Sequence, residues 1–163
     1  MSRLLFGLLA IAGGAGVWLL SGPSAQSAAP QSASVQYLET NSFQKERAFS
    51  PAVATQGGRI IWLAGHEAAT DTNGKLSATD FEGQARATFA AMDHTLKREG
   101  GSLQNLVSMT VFIKDARYGD EFVKLRKEAF PNGKFPASTL VTITGLAQPG
   151  MLIEIEGIAV IPN

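Results

Sequence analysis

Cysteine is absent from the 163 residues and histidine occurs only twice. The first absence excludes a disulfide framework, a thiol nucleophile, a cysteine zinc site and an iron–sulfur cluster. The second leaves His66-Glu67 and the distant His94 as the only histidine material for a metal. A zinc centre needs three or four converging ligands, so no metal and no cofactor is expected. Charge of one sign is also missing, with 14 Lys+Arg against 14 Asp+Glu. Phosphate backbones are bound by releasing counterions to a net basic surface, which argues against a nucleic-acid partner. Internal repeats are absent too, and 45% apolar residues suffice for one ordinary globular domain.

Only one long apolar run exists, and it precedes the domain. Arg3 is followed by the uncharged stretch Leu4 to Leu20 and then by a Ser/Ala-rich segment with Pro23 and Pro30. That is the layout of a secretory signal. Ala25 and Ser27 supply small residues at −3 and −1, so the preferred cut lies after Ser27. Residues 1–27 are thus read as a signal peptide, 28–34 as a linker and 35–163 as the domain. The rival reading of 1–27 is an uncleaved anchor, since 17 residues reach the lower limit of a spanning helix; Gly13, Gly14 and Gly16 weaken that helix. Both readings export the domain, to the periplasm or outside the cell, and only the second gives it a membrane attachment.

Within the domain, Val35 to Thr40 and Ala48 to Gln56 read as short strands, and Gln56-Gly-Gly-Arg59 as a hairpin turn into Arg59 to Gly65. Phe81, Ala85, Phe89, Met92 and Leu96 recur at helical spacing, capped by Thr79 or Asp80 and ended by Gly100-Gly101. Leu106 to Ile113 is apolar on both faces, as an interior strand is, with Val107, Met109, Val111 and Ile113 on one side. Asp120 to Phe130 is a second helix, carried by Phe122, Leu125 and Ala129; its Lys124, Arg126, Lys127 and Glu128 read as a solvated charged face. Ser138 to Thr144 and Met151 to Ile161 complete the strands. The fold class is therefore α+β, a six-stranded mixed sheet with two helices on one face. Six strands about 4.8 Å apart span roughly 29 Å, and two helices about 10 Å wide cover one face only. The uncovered apolar face is expected to bury itself against other copies, with ligand clefts between subunits.

Six segments occur in a diagnostic order: Ala48-Phe-Ser-Pro-Ala52, Ile61-Trp-Leu-Ala-Gly-His66, Thr110-Val-Phe-Ile-Lys-Asp115, Glu128-Ala-Phe130, Phe135-Pro-Ala137 and Ile153-Glu-Ile-Glu-Gly-Ile-Ala159. In these the chain resembles the RidA/YjgF family over nearly the whole domain. The resemblance implies a chorismate-mutase-like fold, a homotrimer, and a small-molecule pocket between subunits in which reactive imines or enamines are hydrolysed to a carbonyl compound and ammonia. It implies Glu154 as the residue that positions and activates water, Gly65 as a backbone position facing ligand, and Phe49 where a tyrosine is often found. It also sets Ser138 where the active enzymes carry an arginine that grips the substrate carboxylate, and Lys124 where an asparagine is common. Loss of such a charge-assisted contact costs about 1.5 to 3 kcal/mol, which points to a substrate less anionic than a 2-imino acid. Ser138 and Thr139 would then offer hydroxyl donors, and Lys124 a point charge in place of the arginine. The rival to catalysis is a binding or chaperone-like protein that keeps the pocket for recognition.

Overall fold

The computed structural model describes residues 33–68 and 76–163; the leader segment 1–27, most of the linker and the turn at 71–74 lie outside them. Within the described residues the chain runs β1 (Ser34–Tyr37), α1 (Ser42–Glu46), β2 (Val53–Gln56), β3 (Arg59–His66), α2 (Phe81–Arg98), β4 (Leu106–Ile113), α3 (Gly119–Ala129), β5 (Ala137–Thr142) and β6 (Ile153–Ile161), with single 3-10 turns before β4 and α3. No described helix is long and apolar enough to cross a membrane.

The architecture is mixed α+β, as expected, but the six strands of the described residues divide four and two. β3, β6, β4 and β5 form one sheet in that order, and β1 pairs with β2 in another. A single parallel bridge, Ser50 to Ala137, joins the small sheet's chain to β5. The hairpin expected around Gly57-Gly58 does not form. Both glycines do take left-handed φ, 68° and 77°, yet β3 pairs with β6, Arg59 opposite Ile161 and Trp62 opposite Ile158. β6 is long, apolar and mostly buried, whereas β2 is a short, mostly exposed Val-Ala-Thr-Gln, so β6 is the partner that gives β3 more apolar surface to pack along.

β4 runs antiparallel to β6 and parallel to β5. The β3–α2–β4 and β4–α3–β5 connections are therefore both parallel crossovers, and their common hand sets both helices on one face. The apolar stripe of α2 is buried there in full, against Phe122, Leu125, Met109, Val111, Ile153 and Ile155. Asp80 caps α2 by accepting from the Gly83 N–H at 2.8 Å, and Gly100, at φ 79°, ends it. A bulge between Leu106 and Ser108 corrects one facing: Leu106, not Val107, joins Met109 in the core. The other face carries Ile60, Trp62, Ile158 and Val160 by alternation, and there Trp62 is 76% exposed and Ile60 52%.

Candidate active site

Of the residues singled out from the sequence, Gly65 and Glu154 meet at one place and Phe49 and Ser138 at another. At the first, strand alternation puts Ile153 and Ile155 in the core and turns Glu154 to the uncovered face. β3 is irregular between Leu63 and His66, and Gly65 lies in that irregularity. A Cβ built on Gly65 would stand 1.9 Å from Glu154 Oε1 and 2.8 Å from its Cδ. The carboxylate therefore rests directly on the Gly65 backbone, in space that only glycine leaves free. Glu67 adds a second carboxylate. Burial, and then the negative charge of Glu154, push its pKa above the ordinary value, while Gln148 Nε2 donates to its Oε1 at 3.3 Å. The corner is thus acidic, and protons move readily between a carboxylate and a nearby water.

His66 stands apart from this pair. Its Nδ1 lies 2.8 Å from Ala64 O and its Nε2 3.0 Å from Thr95 Oγ1, so both ring nitrogens are engaged by the protein. Among the described residues no group of three or more His, Asp or Glu could hold a metal.

The second place begins at a turn. Ala48 takes a left-handed φ of 56°, uncommon for a residue with a Cβ, and it is fully buried. Phe49 N–H to Gln44 O, Ser50 N–H to Pro136 O and Ser50 Oγ to Phe135 O hold the chain in it, at 3.1, 3.1 and 2.7 Å. The turn delivers Phe49 to a cavity of about 150 Å³ lined by Phe43, Arg47, Val123, Arg126, Ser138 and Leu140. Ser138 faces α3 here, where its Oγ accepts from Arg126 Nη1 at 2.5 Å; Arg126 Nη2 donates to Arg47 O at 2.6 Å. Thr139, one residue on, is exposed and alternates to the other face, opposite Thr110 on β4. Lys124 is exposed on α3 and does not line the cavity.

Arg126 is the member that sequence reasoning misplaced. Read as part of a solvated face, it is only 3% exposed. The signal was present in its spacing: Arg126 is four residues from Phe122 and three from Val123, both buried, and its guanidinium lies 5.1 Å from the Phe122 ring centroid.

A single chain does not unite the two places. Glu154 and Gly65 lie on the uncovered face, Ser138 on the helix face, and β4 runs between β6 and β5.

Comparison with known proteins agrees with this fold. The family model described as Endoribonuclease L-PSP matches residues 39–161. The chain is 28% identical over 106 residues to a 3-aminoacrylate deaminase, RutC, of Acinetobacter baylyi, covering 65% of this chain and 82% of that protein. A RutC family protein of Pyrococcus horikoshii is 29% identical over 109 residues, with the same coverage. Among solved structures, the Rid family protein YyfB of Yersinia pestis matches with a TM-score of 0.69 at 23% identity, over 79% of this chain and 98% of that one. A YjgF-family protein of Mycobacterium tuberculosis matches at 0.56 and 23%, over 78% and 100%.

Proposed function

Since the chain belongs to the Endoribonuclease L-PSP family, that of the RidA/YjgF proteins, we propose that it hydrolyses a small reactive imine or enamine to a carbonyl compound and ammonia. The observation that carries this reading is the Glu154 carboxylate seated on Gly65. Beside a backbone that admits no side chain, one carboxylate can hold a water against a planar carbon. The water oxygen attacks the carbon of the protonated C=N while Glu154 takes the water's proton. The resulting carbinolamine collapses to C=O, and the proton passes to the departing nitrogen, which leaves as ammonia. An enamine enters the same route once its carbon is protonated. The Acinetobacter baylyi relative is named for an enamine of this class.

The complete site is proposed to lie between subunits of a homotrimer, with the Gly65–Glu154 corner of one protomer facing the Phe49–Ser138 cavity of the next. Two facts support this: the two halves lie on opposite faces of one chain's sheet, and Trp62 and Ile60 stand bare on the face that carries Glu154. The domain is proposed to work outside the cytoplasm, after export by residues 1–27. Against an RNA substrate stands the pairing of surface cations: Arg86 with Glu82 and Glu128, Arg59 with Glu99, and Arg117 with Asp115.

The second reading, a non-catalytic small-ligand binder, is favoured by Ser138 at the arginine position. Ammonia release from 2-iminopropanoate generated in place separates the two. Turnover that falls at least 100-fold in Glu154→Gln is expected; no turnover in the wild type favours the binder, and turnover indifferent to Glu154→Gln removes the assigned role.

A further inference from the structure

A charged side chain is seldom taken out of water unless something of opposite charge meets it. Arg126 departs from that rule. Its guanidinium carries five N–H donors and spends two on neutral acceptors, Ser138 Oγ and Arg47 O. Nε is buried with no hydrogen-bond partner, and among the described residues no carboxylate pairs with Arg126. The charge that acts on it is a second cation. Arg47 lines the same cavity, and its own partner is the exposed Asp120, at 2.5 Å. Burial, and then the Arg47 guanidinium, bring the Arg126 pKa down from its ordinary value to about 10, the direction of a cation that lacks compensation. At neutral pH it is still charged.

We propose that Arg126 is the carboxylate clamp of this protein, reaching from α3 to the spot that Ser138 leaves open, and that its ligands are therefore small monocarboxylates with a short apolar or unsaturated body. Ser138 is what makes this possible. A long side chain at that position would occupy the space that the Arg126 guanidinium fills, and the hydroxyl instead accepts from it and holds its plane. The rest of the cavity fits the rest of such a ligand. Phe43 and Phe49 meet edge to face at 6.2 Å, and with Val123 and Leu140 they make apolar walls. A volume of about 150 Å³ holds roughly six to seven non-hydrogen atoms, since benzene fits a cavity of that size. The inference rests on the proposed imine or enamine hydrolysis and reverses the expectation of a less anionic substrate: the cation is present, displaced by twelve residues in sequence.

The test is direct binding, measured without turnover. The full chain is titrated calorimetrically with 2-oxobutanoate, a stable acid of product type, and with its uncharged amide. Wild type is expected to bind the acid at least 10-fold more tightly, and Arg126→Gln to weaken the acid by about 10- to 100-fold while leaving the amide unchanged. Equal affinity of wild type for acid and amide, or a preference that survives Arg126→Gln, overturns the proposal. Should Arg126→Gln fail to fold, the wild-type arginine Nε–H resonances decide: one of them, absent from Arg126→Lys, shifts with the acid and not with the amide, and a resonance indifferent to both overturns the clamp. Failure of the two readings is distinguishable. Acid bound through Arg126 without ammonia release from 2-iminopropanoate removes the hydrolysis alone, whereas release with an unchanged KM in Arg126→Gln removes the clamp alone.

Discussion

Replacing Gly65 by alanine adds one methyl group at the point where the Glu154 carboxylate rests. The new Cβ would lie 1.9 Å from Oε1, 2.8 Å from Cδ and 3.2 Å from Cγ, against an ordinary contact of 3.4 Å or more. The carboxylate must therefore retreat by about 1.5 Å. It is the far end of a flexible side chain, and its retreat needs no movement of either strand. Stability should change by less than about 1 kcal/mol, and the loss of a strand glycine even works in favour of the fold. Catalysis is less tolerant. A misplacement of about 1 Å costs on the order of 100-fold, equivalent to about 2.7 kcal/mol of barrier. Gly65→Ala is expected to lower kcat/KM for imine hydrolysis about 100-fold with an unmoved thermal midpoint, and the double variant with Glu154→Gln to be no worse than Glu154→Gln alone. Wild-type activity in Gly65→Ala, or additive losses in the double variant, would refute the claim that this glycine exists to seat the carboxylate.

Gly157 makes the opposite case, because a Cβ there would meet backbone: Ser108 O at 2.8 Å, together with Leu106 Cδ1 at 2.8 Å. Gly157→Ala should part β6 from β4 and cost about 1 to 3 kcal/mol in urea unfolding. Glu67 has a folded-state pKa above its unfolded value of 4.5, so the native state binds the proton more tightly and stability falls as pH rises through that window. Glu67→Gln is accordingly expected to gain stability over wild type at pH 7 and none at pH 3.5, as read from thermal midpoints; an equal gain at both would assign the effect to something other than charge. Trp62→Asp places a charge on the bare sheet face, and a sizing column should report a trimer for wild type and single chains, inactive on imines, for the variant. A fully active single chain would exclude a site shared between subunits.

What was legible in the amino-acid order was local. The 81–96 stripe, a cap at Thr79 or Asp80, the Gly100 stop and the β4 boundaries follow from periodicities and backbone preferences that act within one or two turns; the structure agrees with each and picks Asp80 as the cap. The likeness of the six segments to RidA/YjgF proteins likewise identified the family, and it singled out Gly65 and Glu154 separately; that the two meet came from the structure. Tertiary structure decided whatever depends on residues far apart in the chain. Gly57-Gly58 has hairpin chemistry, but β3 pairs with the long, mostly buried β6, about a hundred residues away, and not with the short, mostly exposed β2. Arg126 reads as a surface charge within its own helix, and only the arrival of β5 and the Arg47–Phe49 turn encloses it. Helical and turn signals are short-range energies that a sequence carries openly. The burial of one long cationic side chain depends on three elements meeting, and that became visible only after they had met.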